Sequence, residues 1–223
     1  MPNKAGLNSF SWNLRYPDAV TFKNLIMWAA GTQGPVAVPG AYSVRMTVAG
    51  KPETQRFAIL KDPRSSASQA TLDEQFAFLT AVRDKTSEAN NAVRRIRDVK
   101  FQLTDRTAKM PAAQKPAFKT KADALAAQLS AVEAEIYQVK NQSGQDPLNY
   151  PIKLNNKIAA LGGVAEGAEA RPTDQTRAVF KALSSQLDAQ LARLNSAMQS
   201  LPSINADLKS AGLAEIVPST TEH

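Results

Sequence analysis

The chain has 223 residues, a formal net charge of +7 at pH 7, 43% hydrophobic residues and 21% charged residues. This balance indicates a globular protein rather than a disordered one. The chain has no cysteine and one histidine, His223, at its last position. Disulfides, cysteine nucleophiles, histidine-based triads and the usual zinc sites are therefore excluded, and we interpret His223 as a tag remnant or a disordered end.

No cofactor is expected, because the chain has neither of the glycine-rich motifs that bind nucleotide phosphates. Its carboxylates fall mainly on the polar faces of predicted helices, where solvation is their ordinary role. No run approaches the roughly 18 consecutive apolar residues that a membrane span requires. These observations favour a non-enzymatic protein without a membrane span.

Residues 1–62 are predicted to form a β module. Apolar and polar residues alternate in NSFSWNL and in AYSVRMTV, as in half-buried strands, and this pattern places Phe10, Trp12 and Leu14 in one core-facing row. With FKNLIMW and TQRFAIL we predict about four strands, the last pairing with AYSVRMTV as a hairpin. Because an Ig-like sandwich has about seven strands, we expect a truncated Ig-like sheet with an unpaired edge, and a homodimer formed through residues 7–60.

After a linker at residues 63–71, residues 72–212 are predicted to form an elongated antiparallel bundle of three or four helices. A capping-box pattern at Thr71–Glu74 indicates where the first helix begins, and Met110–Pro111 indicates where it ends. The second helix has an apolar stripe with spacings of four and three residues: Phe118, Ala122, Leu125, Leu129, Val132, Ile136 and Val139. The predicted fold class is therefore α+β, mainly α.

Two further helices follow in the predicted bundle. Pro151 suits the first turn of the third helix, and Thr173 is the expected N-cap of the fourth, whose apolar stripe extends to Pro202. A short helical segment comes next. We expect residues 213–223 to be a mobile tail.

The polar stretch between the second and third helices, NQSGQDPLNYPIKLNN, has two interpretations. As a corner between helices, its side chains would satisfy backbone groups at the helix ends, and Leu148 and Tyr150 would plug the core. As a ligand site, it would present five polar side chains: Asp146, Asn149, Tyr150, Asn155 and Asn156. The corner is the favoured interpretation.

Positive charge is concentrated where the first two helices meet. Nine cations lie there against Asp98 and Asp105: Arg94, Arg95, Arg97, Lys100, Arg106, Lys109, Lys115, Lys119 and Lys121. This group predicts a basic hairpin tip that either keeps the protein solvated or attracts an acidic partner or another anion. Nucleic acid is not favoured as the partner, because few aromatic residues accompany these charges.

Four motifs in order give the chain a family resemblance: GLNSFSWNLRYPDA, PGAYSVRMTVAGK, IYQVKNQSGQDPLNYPIKLNNKIAAL and ARPTDQ. Together they resemble the C-terminal region of bacterial sortilin- or sialidase-like BNR-repeat β-propeller proteins, which are described as glycosyl-hydrolase-like. The resemblance implies part of an Ig-like module, a helical bundle, an upstream propeller and an extracytoplasmic location. Trp12-Asn13 stands where Trp-Asp is more usual, and no catalytic residue carries over, because hydrolase-like features belong to the propeller.

Two functions follow as hypotheses. The first is a non-enzymatic structural or interaction module that positions or oligomerises the upstream propeller. The alternative is an accessory module that binds carbohydrate or an anionic ligand, with Trp12, Tyr16 or Trp28 as platforms for sugar rings. Exposure of the aromatic rings discriminates between them, because a sugar platform must face solvent.

Overall fold

The computed structural model describes residues 6–219. It confirms an α+β fold that is mainly helical. His223 lies outside the described residues. The elements, in chain order, are β1 (Gly40–Val48), β2 (Lys51–Ile59), α1 (Gln69–Lys109), α2 (Lys115–Ile136), α3 (Leu154–Glu166), α4 (Asp174–Met198) and α5 (Leu201–Ser210), with a 3-10 turn at Asp146–Leu148 between α2 and α3.

The long first helix begins earlier than the capping-box pattern predicted. Ser68 is the N-cap, and its hydroxyl accepts a 3.1 Å hydrogen bond from the backbone N–H of Thr71. The helix ends at Lys109, and Pro111 follows closely, as predicted. At 1.5 Å per residue, its 41 residues make a rod roughly 60 Å long.

Two shorter helices together span the length of α1. Near its middle, Arg97 binds Glu133 of α2, whereas near its start Gln75 donates to the backbone carbonyl of Ala165 in α3. The helices α2 and α3 therefore lie end to end, and both run antiparallel to α1. The segment between them is a joint within one rod and not the reversal that a corner implies.

The third rod consists of α4 and α5. Phe78 contacts Phe180, and Lys85 pairs with Asp188, so α4 runs parallel to α1. The hydroxyl of Thr173 caps α4 as predicted, accepting a 3.1 Å bond from the N–H of Thr176. The rod breaks after α4, short of the predicted end at Pro202, and α5 then packs on α2.

The apolar stripe of α2 forms much of the bundle core. Six of its seven predicted members are buried, and Leu129 and Ile136 are fully enclosed. Val139 is the exception, because α2 ends at Ile136 and Val139 is exposed beyond it. The period of the stripe correctly identified the core face, since neighbouring turns of one helix stack on the same side.

An irregular N-terminal strap, residues 14–37, lies along the bundle. Its two arms pair with each other: Tyr16 N donates to Pro35 O at 2.9 Å, and Ala37 N donates to Leu14 O at 2.7 Å. The predicted strands NSFSWNL and FKNLIMW are wrong, since neither forms a strand. Residues 6–219 therefore contain two regular strands, β1 and β2, instead of about four.

Polar side chains of the bundle fix the backbone of the strap. Asn90 of α1 donates to the carbonyl of Val20 at 2.7 Å, and the Tyr137 hydroxyl donates to the carbonyl of Asn24 at 3.2 Å. Asn156 of α3 makes two bonds to the backbone of Trp28. The strap thus covers the joint between α2 and α3 without forming a sheet.

Gly34 is required where the two arms of the strap meet. A methyl group on its Cα would overlap the backbone carbonyl oxygens of Tyr16 and Pro17. Its N–H also donates to Asp18 Oδ1 at 2.9 Å. Only a glycine permits this close approach of backbone to backbone.

The segment after α5 folds back against α1, in contrast to the mobile tail that we expected for residues 213–223. Ile216 is buried, and its N–H donates to Asn205 Oδ1 at 2.8 Å. Val217 N donates to Gln102 Oε1 at 3.1 Å, and Ser219 N donates to Asp98 Oδ2 at 2.9 Å. These contacts hold the segment as far as residue 219, the last residue described.

Candidate interaction surface

The two strands form a projecting ribbon, residues 40–59. They are antiparallel and joined by a two-residue turn at Ala49 and Gly50, both with positive φ, at 48° and 78°. Positive φ at both central positions is the geometry of a type I′ turn, whose twist matches the twist of paired strands. The predicted hairpin is therefore confirmed.

One face of the ribbon carries an exposed apolar row from β1. On that face the register places Tyr42 opposite Phe57 near the base, whereas Val44, Met46 and Val48 lie opposite Gln55, Glu53 and Lys51. Val44 is 49% exposed, Met46 50% and Val48 61%. β1 therefore has the alternating pattern of a half-buried strand, but its apolar side chains are exposed to solvent over much of the ribbon. An uncovered apolar row of this kind is a candidate for an interaction site.

Trp12 packs on the ribbon and not in the core. Its ring centroid lies 6.0 Å from that of Tyr42 and 6.4 Å from that of Phe57, and its indole N–H donates to Arg15 O at 2.7 Å. The predicted core-facing row is wrong, because Trp12, Phe10 and Leu14 are all exposed, Trp12 by 36%. Trp12 thus extends the apolar surface of the ribbon at its base.

The aromatic cluster also changes the acidity of a phenol. Desolvation by burial raises the pKa of Tyr42, and the neighbouring Tyr16 and Asp73 raise it further. The Tyr42 hydroxyl donates to the carbonyl of Val38 at 2.7 Å. This contact fixes the ring at the base of the ribbon.

A cleft of about 390 Å³ lies where the ribbon leaves the bundle. Apolar side chains from the strap, the segment before β1, β2 and α1 line it, among them Leu14, Val38, Ile59, Leu72, Phe76 and Leu79. Arg15 stands at its rim and donates to Glu166 Oε1 at 3.0 Å and to Gly34 O at 2.7 Å. The Arg15 to Glu166 pair ties the strap to α3 beside the ribbon.

Two of the nine predicted basic residues hold the fold together. Glu133 is buried in α2 and accepts from Arg97 Nε at 2.7 Å and from Lys100 Nζ at 3.1 Å. The Arg97 guanidinium also lies 4.8 Å from the ring centroid of Phe22 and 5.3 Å from that of Tyr137. These cations neutralise a buried carboxylate and brace the strap, so they are not a free anion-binding surface.

The other basic residues are spread along the bundle. Arg94 and Arg95 contact the asparagines Asn91 and Asn195 at 3.5 and 3.4 Å. The remaining five lie towards the end where α1 meets α2: Arg106, Lys109, Lys115, Lys119 and Lys121.

All five of these cations already have a contact. Arg106 pairs with Asp105, Lys119 with Asp123, and Lys121 with Asp207 at 2.6 Å. Lys109 shares Asp105, at 2.7 Å, and Lys115 donates to a backbone carbonyl. These ion pairs offset part of the positive charge of the predicted basic tip. An acidic partner at the tip stays a prediction.

The polar stretch divides into two unrelated parts. Asp146 closes its own turn, accepting from the backbone N–H of Gln142 at 2.6 Å and of Ser143 at 2.9 Å. These N–H groups lower the pKa of the Asp146 carboxyl. Asn149 is exposed and Tyr150 is partly buried, with its ring centroid 5.4 Å from Lys140 Nζ. Leu148 is exposed as well, so the predicted core plug is wrong.

Asn155 and Asn156 belong to the core of the joint. Both are buried in the first turn of α3, which begins at Leu154, three residues after Pro151. Asn155 Nδ2 donates to Asn90 Oδ1 at 3.1 Å, and its own Oδ1 accepts from the N–H of Asn156. The proposed five-residue ligand site is therefore not a single cluster.

Three residues that organise this region were not predicted from the sequence: Asn90, Glu133 and Tyr137. The sequence contains a signal for two of them, because each is next to a residue of an apolar stripe. Asn90 adjoins the buried Ala89, and Glu133 adjoins the buried Val132. A polar residue at the border of an apolar stripe is a candidate for a buried hydrogen bond, because burial without a partner is unfavourable.

Across residues 6–219, no group of three or more histidine, cysteine or acidic side chains is placed to hold a metal ion. No helix in this part of the chain combines the length and apolar character needed to cross a membrane. Comparison with protein-family models, curated proteins and solved structures finds no match to this chain.

Proposed function

We propose that this chain is a non-enzymatic structural and interaction module in which the ribbon is the docking element. The observation that carries this proposal is the exposed apolar face of Val44, Met46 and Val48, continued by Trp12 at the base. Polar and apolar residues alternate along β1, as they do in strands that bury one face. This pattern is compatible with a partner that covers the apolar row.

The energetics of a small sheet support the same proposal. A two-stranded ribbon is marginally stable in water, and a third strand or a packed layer stabilises it. Beyond the contacts at its base, the described residues offer the ribbon neither of these, since the sheet has two strands. A partner that pairs with an edge or covers the apolar face would stabilise the ribbon and gain affinity from that burial.

The partner that we propose is an upstream β-propeller, positioned or oligomerised by this module in an extracytoplasmic setting. The family resemblance is the support for this choice. Two of its motifs, at residues 6–19 and 39–51, fold beside each other as the start of the strap and as β1 with its turn. The resembling residues thus coincide with the exposed surface.

Binding to a recombinant β-propeller from a protein that carries these four motifs tests the proposal. Titration calorimetry of the wild-type chain against that propeller should detect a complex, and Met46→Lys should weaken it at least about tenfold by placing a charge on the apolar face. Val179→Lys on α4 is the matched control, because Val179 is 47% exposed, close to the 50% of Met46. Absence of binding, or equal weakening by both variants, would count against the proposal.

The non-enzymatic part of the proposal has its own test. A panel of glycoside and ester substrates should show no turnover that depends on a carboxylate of this chain. Reproducible turnover that a single substitution of an aspartate or glutamate abolishes would overturn this part and leave the docking role open.

A second candidate, a carbohydrate-binding accessory module, draws support from Trp28. Its ring is 37% exposed, while Asn156 holds its backbone with bonds of 2.7 and 2.8 Å. A rigidly held, solvent-facing indole suits stacking against a sugar ring. Binding on a glycan array that Trp28→Ala abolishes, with Trp12→Ala as the comparison, would favour this candidate over the first.

A further inference from the structure

We infer that a second copy of this chain pairs with the outer edge of β1, forming a four-stranded antiparallel sheet about a two-fold axis at Val44. This inference rests on the proposed function, because it names how the ribbon would oligomerise the module. It follows from the difference between the two edges of the ribbon and from the register that β1 allows with itself.

The turn determines which backbone groups face outward. A two-residue hairpin turn closes on a hydrogen-bonded pair, and hydrogen-bonded pairs then alternate with pairs that direct their N–H and C=O away from the partner strand. Val48 and Lys51 are the closing pair. The outward-facing residues of β1 are therefore Ala41, Ser43, Arg45 and Thr47, and those of β2 are Pro52, Thr54, Arg56 and Ala58.

The edge of β2 is protected, whereas the edge of β1 is open. Pro52 has no N–H to donate at an outward position, and Lys51 and Glu53 put charges beside it. Proline and charged residues are common protection for an edge strand. β1 has no proline and no acidic residue, and its single charge, Arg45, lies on the face opposite the apolar one. β1 is therefore the edge at which an added strand can pair more readily.

Self-pairing has one register that uses the whole strand. With the two-fold axis at Val44, all nine residues of β1 have a partner, and every outward-facing residue pairs with another outward-facing residue: Ser43 with Arg45 of the second copy, and Ala41 with its Thr47. A shift in one direction places Arg45 opposite itself, where like charges repel. A shift in either direction leaves the ends of both strands unpaired.

The centred register is also favourable for side chains. Val44 meets its own copy at the axis as a non-hydrogen-bonded pair, in which side chains approach most closely. Tyr42 lies opposite Met46 of the second copy on the apolar face, and no charge of β1 lies on that face. Aromatic and aliphatic cross-strand pairs of this kind stabilise sheets. The match of β1 to itself in both shape and charge is the reason for choosing a second copy as the occupant.

Proline substitutions separate the two edges. Ser43→Pro removes an outward N–H of β1 and leaves the bonds to β2 intact, and Thr54→Pro does the same at the edge of β2. We expect sedimentation equilibrium to give a wild-type dimer and Ser43→Pro to raise the dissociation constant at least about tenfold, because each dimer loses two hydrogen bonds. Thr54→Pro should dimerise as wild type does. Helical circular dichroism of both variants checks that the bundle is folded.

A charge substitution provides a second test that does not depend on proline. Val44→Lys brings two ammonium groups together at the axis and should give a monomer, whereas Gln55→Lys adds the same charge to the same face one strand farther away and should not. Equal disruption by both variants would indicate face-to-face association and overturn the edge pairing. A wild-type monomer at millimolar concentration would also overturn it, while propeller binding that Met46→Lys weakens would leave the proposed function standing.

Discussion

Removing the contact between Asn156 and the backbone of Trp28 tests most directly whether side chains of the bundle hold the strap in place. Asn156 Oδ1 accepts from the Trp28 N–H at 2.7 Å, and Asn156 Nδ2 donates to the Trp28 carbonyl at 2.8 Å. Asn156 itself is buried. Substitution by alanine removes both bonds and supplies no replacement for either backbone group.

The expected loss in the free energy of unfolding is about 2 to 3 kcal/mol. Each hydrogen bond contributes about 1 kcal/mol net, and partly buried groups left without partners add to the loss. For a chain of this size about 1 kcal/mol corresponds to roughly 2–4 °C in melting temperature, so Asn156→Ala should melt about 5–10 °C below wild type.

Urea unfolding followed by circular dichroism at the helical band measures this loss, and tryptophan fluorescence in a Trp12→Phe background reports the environment of Trp28. Asn149→Ala is the matched control, because Asn149 lies in the same polar stretch and is exposed. It should change the free energy of unfolding by less than about 0.5 kcal/mol.

Equal stability of Asn156→Ala and Asn149→Ala would contradict a stabilising clasp between Asn156 and the strap. It would mean that the Trp28 backbone is hydrated in the native state, or that the strap detaches without affecting the bundle. Hydrogen exchange distinguishes these, since a detached strap would exchange its amides rapidly while the amides of α1 stay protected.

Three further predictions concern other parts of the same region. Gly34→Ala should destabilise by at least about 2 kcal/mol through overlap with the facing carbonyl oxygens, whereas Gly163→Ala, in open space within α3, should be neutral or stabilising in thermal melts. Tyr150→Ala should lower the free energy of unfolding in urea by only about 1 kcal/mol, because the ring is partly buried and its cation–π partner, Lys140, is exposed. A loss of about 3 to 5 kcal/mol would instead indicate a buried plug. The stabilising effect of Asp146 on its turn should be present above the ordinary aspartate pKa and lost as pH falls through the lowered native pKa. NMR titration, with Asp146→Asn as the blank, checks that the native pKa is lowered.

The bundle could be predicted well from the sequence. Apolar residues spaced by four and three identified the buried face of α2, and Thr173 and Pro111 marked helix boundaries where the structure has them. Helical hydrogen bonds join residues close in sequence, so side-chain period and caps carry most of the information. The boundaries that were missed, at Ser68 and after Met198, depend on local caps and on contacts with neighbouring helices.

The strap could not be predicted in this way. Residues 8–14 alternate like a strand, and residues 22–28 were also predicted to be one. Backbone groups of the strap instead bind side chains such as Asn90, Tyr137 and Asn156, which lie far away along the chain. Alternation reports that a segment is half-buried but not what satisfies its backbone. The same limit explains why Trp12, placed in the core by its pattern, lies on the exposed ribbon.

The fold class, the apolar stripe of α2, the hairpin of β1 and β2 and the exclusion of catalysis by cysteine or an internal histidine could all be inferred from local sequence. Three features depended on contacts between distant segments: α2 and α3 form one interrupted rod, the polar stretch divides between a self-closed turn and a buried clasp, and the predicted basic residues already have contacts. The physical reason is the range of the interactions. Helix period, turn geometry and composition act within a few residues, whereas the burial of a polar side chain is decided by whichever distant backbone or charge can complete its hydrogen bonds.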